Sequence, residues 1–433
     1  MEFISYAKQI PLRAGYDVIV AGSGPAGLCA AVTAARLGAK TALLERYGIL
    51  GGNLTVGHVG PILGMVGKGT MRDELLSLLG VRDNDMIGKT GLVHDFEAAK
   101  RTLAEFAVHQ NLDVYLQCAV SDALMDGHAI KGLVISSKEG LFSLAGKVII
   151  DATGDGDVSF FAGAEYEKGR DDGLMQPVTL EFTVDNIDES LAVACIGDVD
   201  DVEMNGERFL DFCKRCGEEG ILPKNLAAVR LHRTVRPGER QVNTTQVNGV
   251  DTTAVGQLFQ AERQLRGQID QLLAFFRKYL PGYHECRYRA SGATIGTRET
   301  RRVIGGHILT ADDMAQGKLY PDIVVHKAEF IVDIHNPEGS GQAEARVQYL
   351  PPYDIPYGCF VPKGIDNLLT AGRCISGTHR AHASYRVMSI CMAMGQAAGT
   401  AAALCARQNC APRQLPAKAV QDALGAQGVD LFG

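Results

Sequence analysis

The chain has 433 residues, 46% hydrophobic and 21% charged, with 50 glycines, no tryptophan and a formal net charge of -7. That is enough chain to bury a large core without disulfides or structural metal, and the composition suits a soluble α/β protein with many tight turns. The acidic balance argues against nucleic acid as a partner, because phosphate binding draws on a basic surplus. The opening MEFISYAKQIPLRAG carries no apolar block of signal-peptide length, so a cytoplasmic location is expected.

Residues 16–20, YDVIV, read as a strand, and AGSGPAG follows with Gly22, Gly24 and Gly27 in GxGxxG register. The first glycine makes a tight turn, the second lets the backbone approach a pyrophosphate, and the third lets the helix pack on the strand. A small-residue helix is predicted from Pro25 through Ala26 to about Leu37, stopped by Gly38, then a strand from Thr41 to Glu45. A carboxylate about 20 residues past the finger is the acceptor a ribose diol needs, which points to an adenine dinucleotide. The next loop, RYGILGGNLTVGHVGP, offers Gly51 and Gly52 for close passage of a long cofactor and Thr55 for a hydroxyl. A lone His58 in it is more often structural.

Residues 117–154 read as a three-stranded meander whose last strand ends in Asp151-Ala152-Thr153-Gly154-Asp155-Gly156-Asp157. Small residues at such a strand end meet the ligand of a doubly wound sheet, and the acidic loop lacks the register of a calcium site. After residue 165 come a strictly alternating strand, VTLEFTV (178–184), and a long helix from an Asp251 N-cap to Leu280, stopped by Pro281-Gly282. Its apolar residues, from Val255, Leu258 and Phe259 to Phe276, keep a one-sided helical period. No second finger appears, so a single tightly held dinucleotide is expected. The eleven cysteines, scattered from Cys29 to Cys410, read as reduced buried thiols, and Cys213 with Cys216 as two thiols on one helical turn.

SGATIGTRETRRVIGGH (291–307) sets Arg298, Arg301 and Arg302 among glycines, either to clamp a substrate carboxylate or offset flavin charge, or as a solvated basic face. VDIHNPEGSG (332–341) places His335 in a loop after a strand, a good position for a base. A further strand, Leu368–Ala371, is closed by Gly372. GRCISGTHRAHASYR (372–386) reads as a loop that holds His379 and His382 facing the cofactor, with Tyr385-Arg386 opening the next helix; arginines at 373, 380 and 386 and the lack of a carboxylate argue against metal, and no metal is expected. From Val387 to Ala406 no residue is charged, yet Ser389, Gln396, Thr400 and many alanines favour a core helix over a membrane span. Its N-terminus would aim partial positive charge at a ligand.

AGSGPAG, ERYGILGGNLT, IIDATGDGDV, TRETRR, DIHNP and the run from DIPYGCFVPKG to GQAAGTAAAL together resemble the bacterial FAD-dependent oxidoreductases whose FAD-binding fold is shared with the flavin subunit of heterodisulfide reductase. The resemblance covers nearly the whole chain. It implies noncovalent FAD in a glutathione-reductase-like α/β fold: a Rossmann-type domain with a parallel sheet and β-meander, and an α+β substrate domain inserted mid-chain. The expected division is 1–165 with 356–433 for FAD and 166–355 for substrate. Gly22, Gly24, Gly27, Glu45, Arg46, Gly52, Thr55, Val120, Gly154, Gly372 and Arg373 carry over as cofactor residues. Pro25, Ala26, Gly51, Asn53, Ala152, Thr153, Val387 and Met388 join them by position. Relatives of the heterodisulfide reductase type also bind iron-sulfur clusters through dense cysteine motifs, which this sequence lacks.

The expected activity is hydride transfer between a small polar organic substrate and flavin N5. His335, His379 and His382, then Tyr357, are the candidate proton carriers; Arg298 and Arg386 are candidates for anion binding. Amides near Val387 and Met388 would steady reduced flavin. Alternatives are an electron carrier or thiol-linked reductase using Cys213/Cys216 or Cys374, or a non-catalytic FAD-binding protein. Expected partners are a small-molecule substrate and an unidentified electron donor or acceptor, with a homodimer as the assembly considered.

Overall fold

The computed structural model describes residues 4–81, 94–194, 202–343 and 348–432; Cys195 lies outside them. Strand β1 (Leu12–Ala21) leads through the glycine finger into α1 (Pro25–Arg36) and β2 (Thr41–Glu45). Val18, Ile19 and Val20 are fully buried, as β-branched residues in a sheet covered on both faces should be. Helices α2 (Met71–Leu78) and α3 (Phe96–Val108) follow, the latter capped by Asp95, whose carboxylate accepts from the amides of Glu97 and Ala98. Next come β3 (Asp113–Leu116), β4 (Ala119–Asp126), β5 (Ala129–Ser137) and β6 (Gly140–Asp151).

The middle of the chain holds α4 (Asp157–Phe161), β7 (Tyr166–Lys168), β8 (Phe182–Asp185), the short hairpin β9 (Glu203–Met204) and β10 (Glu207–Arg208), and α5 (Phe209–Glu218). Then come β11 (Leu231–Arg233), β12 (Arg240–Val242), α6 (Val255–Tyr279), β13 (Arg287–Ser291) and β14 (Arg301–Val303). Strands β11-β12-β8-β13 form an antiparallel sheet. Phe182, Val184, Leu231 and Val242 share a core with Cys213 and Cys216 of α5 and with Leu265, Leu272 and Phe276 of α6. The CxxC is thus packing, as expected.

Two expectations fail here. Helix α6 starts at Val255, and its N-cap residue Ala254 has no side-chain cap. Asp251 is engaged elsewhere, accepting from the Thr253 amide and hydroxyl and pairing with Lys168 at 2.9 Å. In the first turns Val255 and Phe259 are exposed. The strand at 178–184 does not divide into core and solvent faces either, because Thr179, Glu181 and Thr183 are as buried as the apolar residues between them. The polar face lies against other protein segments.

The chain closes with α7 (Ala311–Ala315), β15 (Ile323–Ala328), β16 (Tyr353–Pro356), β17 (Leu368–Thr370), α8 (His379–Tyr385), α9 (Met388–Gln408) and α10 (Ala417–Ala426). Among the described residues the main sheet has seven strands, ordered β3-β2-β1-β6-β5-β4, with β17 also on β6. The β1, β2, β3, β6 and β17 pairings are parallel, and β4-β5-β6 is the antiparallel meander. This is a Rossmann-type sheet with the expected meander.

Helix α9 is long and apolar enough to cross a membrane by composition, but it is buried inside the protein from Met388 to Ala406. It lies against α1 so closely that a Cβ on Gly395 would sit 2.0 Å from the Ala26 carbonyl oxygen, and one on Gly399 2.3 Å from that of Ala30. The GxxxG spacing serves helix contact in a core. Residues of β15 and β16 pack into this same core.

Candidate active site

The finger is built as its glycines require. Gly22 adopts φ +94, and a Cβ there would lie 2.5 Å from the Ala152 carbonyl oxygen; a Cβ on Gly27 would lie 1.8 Å from that of Gly22. A Cβ on Gly24 would instead meet nothing within 4 Å, and Gly24 lines an elongated cavity. Glu45 lines it too, at the end of β2, where parallel pairing of β1 and β2 brings it beside the finger. Its Oε2 accepts from Ser23 N at 2.9 Å and Ser23 Oγ at 2.5 Å, and its Oε1 from Tyr47 N at 2.8 Å. The carboxylate is therefore held in place with one acceptor site on Oε1 to spare for a ribose hydroxyl.

Across the cavity, Asp151 at the end of β6 accepts from the amides and hydroxyls of both Thr153 and Ser159, fixing the turn that follows. Asp155 ties three segments together: it accepts from Arg373 at 2.7 Å and Thr300 at 2.8 Å and lies 3.8 Å from Arg46. Burial pushes its carboxyl up, but Arg373 and Arg46 outweigh that and hold it below the usual range. An acceptor at β2, space at the open glycine edge and backbone N–H donors at the start of α1 are what FAD needs, so the residues present fit that group.

Of the expected cofactor residues, Gly22, Gly24, Pro25, Ala26, Glu45, Arg46, Gly52, Asn53, Val120, Ala152, Thr153, Gly154, Gly372, Arg373 and Met388 line the cavity. Four do not. Gly27 packs against Gly22, and a side chain on Gly51 would strike Leu103 and Thr55. The Thr55 hydroxyl donates to Leu50 O at 2.6 Å, and Val387 is the N-cap of α9, where Gly64 leaves room for its side chain. These residues shape the wall without being on it.

The catalytic candidates are placed less as expected. His379 and His382 are on a helix, α8, not in a loop facing the cofactor. His379 Nδ1 bonds Glu299 at 2.8 Å, and Glu299 also pairs with Arg302. His382 is fully buried with both ring nitrogens unpartnered, edge-on to Tyr385. The Tyr357 hydroxyl is spent on Pro412 O at 3.0 Å. Tyr385 and Arg386 close α8 instead of opening α9.

Arg301 and Arg302 form no solvated face: both are buried, Arg301 bonding Asp157 and the Asp155 carbonyl beneath Phe160, Arg302 bonding the carbonyls of Gly377 and Gly169. Both clamp loops. His58 stacks on Phe96 at 3.9 Å, with burial pulling its pKa down to about 4, as a structural histidine would.

His335 is buried, against the expectation of an open loop. Its Nε2 lies 3.5 Å from Asp333, which pairs at 2.9 Å with Arg386, and Arg386 lines the cavity. Arg298 sits in the same cluster, donating to Pro177 O and Asn243. Three members of this cluster were missed. Asp333 is two residues before His335, Gln176 accepts from His335 N at 3.2 Å, and Glu181 lies on the polar face of the 178–184 strand. A charged residue in an otherwise alternating strand was the available signal for Glu181.

Burial pushes the Glu181 carboxyl up to about 8, with Arg298 and the Gly60 amide pulling the other way. Such a group is protonated in the fold but ionised in the unfolded chain between pH 4.5 and about 8, so it takes away stability as pH rises through that window. Glu181→Gln should therefore unfold at a higher temperature than the parent at pH 8, by a few kcal/mol at most (~1.4 kcal/mol per pH unit), and at the same temperature at pH 4.5. Calorimetry at the two pH values checks this, and equal unfolding temperatures at pH 8 would sink it.

A Rossmann-type sheet with a glycine finger, a buried carboxylate at the end of β2 and a cavity that residues of the finger, β2 and α9 line define the class of dinucleotide-binding α/β proteins. The family model described as FAD dependent oxidoreductase matches residues 17–424, and the chain belongs to that family. It is an enzyme that binds FAD. It is 31% identical over 147 residues to a thiamine thiazole synthase of Methanococcus maripaludis, covering 32% of this chain and 56% of the relative. It is 26% identical over 290 residues to a soluble pyridine nucleotide transhydrogenase of Mycobacterium tuberculosis, covering 59% and 58%. The chain thus spans about half the length of the curated relatives it matches. A solved structure with the same fold is p-nitrophenol 4-monooxygenase from Pseudomonas putida, at TM-score 0.50 and 11% identity over 97% of this chain and 85% of that one.

Proposed function

We propose that this enzyme oxidises or reduces a small polar organic molecule by hydride transfer, with His335 moving the accompanying proton. Bound FAD supplies the two-electron chemistry at its N5. The observation that carries the reading is the chain of contacts from the cavity to His335: Arg386 on the wall, Asp333 behind it, and the imidazole behind Asp333. The Asp333 carboxylate lies 3.5 Å from Nε2, close enough to set the orientation of the ring. Burial and the nearby Arg298 pull the His335 pKa down to about 3, so the imidazole is neutral at pH 7 and, as a weak base there, passes a proton on without keeping it. Helix α9 turns its N-terminal residue Met388 to the cavity, adding partial positive charge there.

The thiol-linked alternative has little support. Cys374, Cys213 and Cys216 are buried, and burial pushes the Cys374 and Cys216 thiols up, away from the reactive thiolate. We also propose that 1–165 with 356–433 hold FAD noncovalently while 166–355 hold substrate, and that the protein is a cytoplasmic homodimer served by a separate electron donor or acceptor. The proposed kinship with the heterodisulfide reductase flavin subunit rests on all the motifs of the resemblance, above all the run from DIPYGCFVPKG to GQAAGTAAAL; part of ERYGILGGNLT and part of IIDATGDGDV line the cavity.

Anaerobic bleaching of the flavin band across a metabolite panel tests this reading. His335→Gln should stay yellow yet reduce about 10²- to 10⁴-fold more slowly, the usual worth of a positioned proton carrier, while His379→Ala keeps the parental rate. Reduction of His335→Gln at the parental rate would remove the role from His335.

A further inference from the structure

We propose that the redox substrate is a small organic carboxylate, held beside Arg386 by the surplus positive charge of the Arg298–Arg386 cluster. This rests on the oxidoreductase reading above and names its substrate class.

The argument begins with Arg298, which is more than nine-tenths buried. Its hydrogen bonds go to Pro177 O at 2.8 Å and Asn243 Oδ1 at 3.3 Å, both neutral acceptors, and among the described residues it has no ion-pair partner. A buried guanidinium normally has a carboxylate. The nearest suitable one, Asp333, is already committed to Arg386 at 2.9 Å, Gln342 at 2.6 Å and His335 at 3.5 Å. The other charged groups acting on Arg298 are Arg386, Glu181 and Arg230. Among the charged groups that act most strongly on Arg298, three guanidiniums including its own stand against two carboxylates, Asp333 and Glu181, and this set stays positive even with Glu181 ionised.

The unmet hydrogen bonds have the same sign. Arg386 Nε and Gln176 Nε2 are buried without partners, and both are donors. Gln176 is 1% exposed, and its oxygen is already taken by His335 N and approached by Arg386 Nη2 at 3.5 Å. A buried donor without an acceptor is costly, and several together beside net positive charge match a ligand rich in acceptors and carrying negative charge. Arg386 brings this demand to the cavity wall, close to Met388 and so to the place of redox chemistry.

The test uses the yellow holoenzyme at constant ionic strength, titrated anaerobically with glycolate and propionate, with glycolamide and propionamide, and with sulfate and phosphate, following the flavin difference spectrum. Saturable perturbation by the carboxylates but not the amides is expected, with affinity at least tenfold weaker in Arg298→Gln and at least threefold tighter in Asp333→Asn. The second variant removes the competing negative charge, and misfolding cannot imitate a gain. Equal response to acid and amide, saturation by sulfate or phosphate at equal affinity, or no tightening in Asp333→Asn would overturn the proposal. Bleaching by a neutral metabolite would overturn it while leaving hydride transfer standing. Carboxylate binding as expected, with no bleaching across the full metabolite panel by a flavin that dithionite still reduces, would fail the hydride-transfer reading and leave the anion site.

Discussion

Gly395→Ala is expected to lower the urea midpoint sharply and to yield protein that has lost most of its yellow colour. The added methyl would lie 2.0 Å from the Ala26 carbonyl oxygen, 2.8 Å from its carbon and 2.9 Å from Cys29 Cβ. Overpacking a core costs about 1–3 kcal/mol and sometimes more, and a clash with backbone cannot be relieved by a rotamer change. Only separation of α9 from α1 relieves it. Ala26 and Met388 both line the cavity, so that movement shifts one of its walls against the other. Gly267→Ala is the control: this glycine is exposed within α6, its Cβ would meet nothing within 4 Å, and the change should add about 0.5–1 kcal/mol. A Gly395→Ala protein with the parental midpoint and colour would show that α9 yields where the geometry says it cannot.

Glu45→Ala is expected to weaken FAD binding at least 100-fold with the fold retained. The side chain is 4% exposed and receives three hydrogen bonds, from Ser23 N, Ser23 Oγ and Tyr47 N. Its loss removes the ribose acceptor and leaves the Ser23 and Tyr47 amides without their partner, so the edge of the finger loses its tether. Hydrogen bonds to a charged group are worth about 1.5–3 kcal/mol each, and each ~1.4 kcal/mol is tenfold in affinity, so one ribose contact at the upper end of that range reaches that factor. Fluorescence of FAD released on dilution measures it, with Glu45→Gln expected between parent and alanine variant. Parental retention of FAD by Glu45→Ala would move ribose recognition elsewhere in the cavity.

Most of the cofactor site was legible because its signals are local. Gly22, Gly24 and Gly27 fall within one turn, and Glu45 follows at the distance one helix and one parallel strand require. Thr55 shows the limit of such reading: a hydroxyl in the right loop proved to bond the Leu50 carbonyl five residues back. His379 and His382 were misplaced for a related reason. Thr378 accepts from Ala381 N as an N-cap, so a stretch that reads as a polar loop is a helix.

The amino-acid sequence by itself determined the Rossmann unit, the meander, the buried α9 and the cofactor, because periodicity, glycine spacing and strand-end chemistry act over a few residues. Only the tertiary structure assembles the cluster proposed for the substrate. Gln176, Arg298, Asp333 and Arg386 come from four separate segments with no shared period, and only the folded chain brings them together. The charge balance of such a cluster follows from which carboxylate reaches which guanidinium, and chain order does not encode that distance.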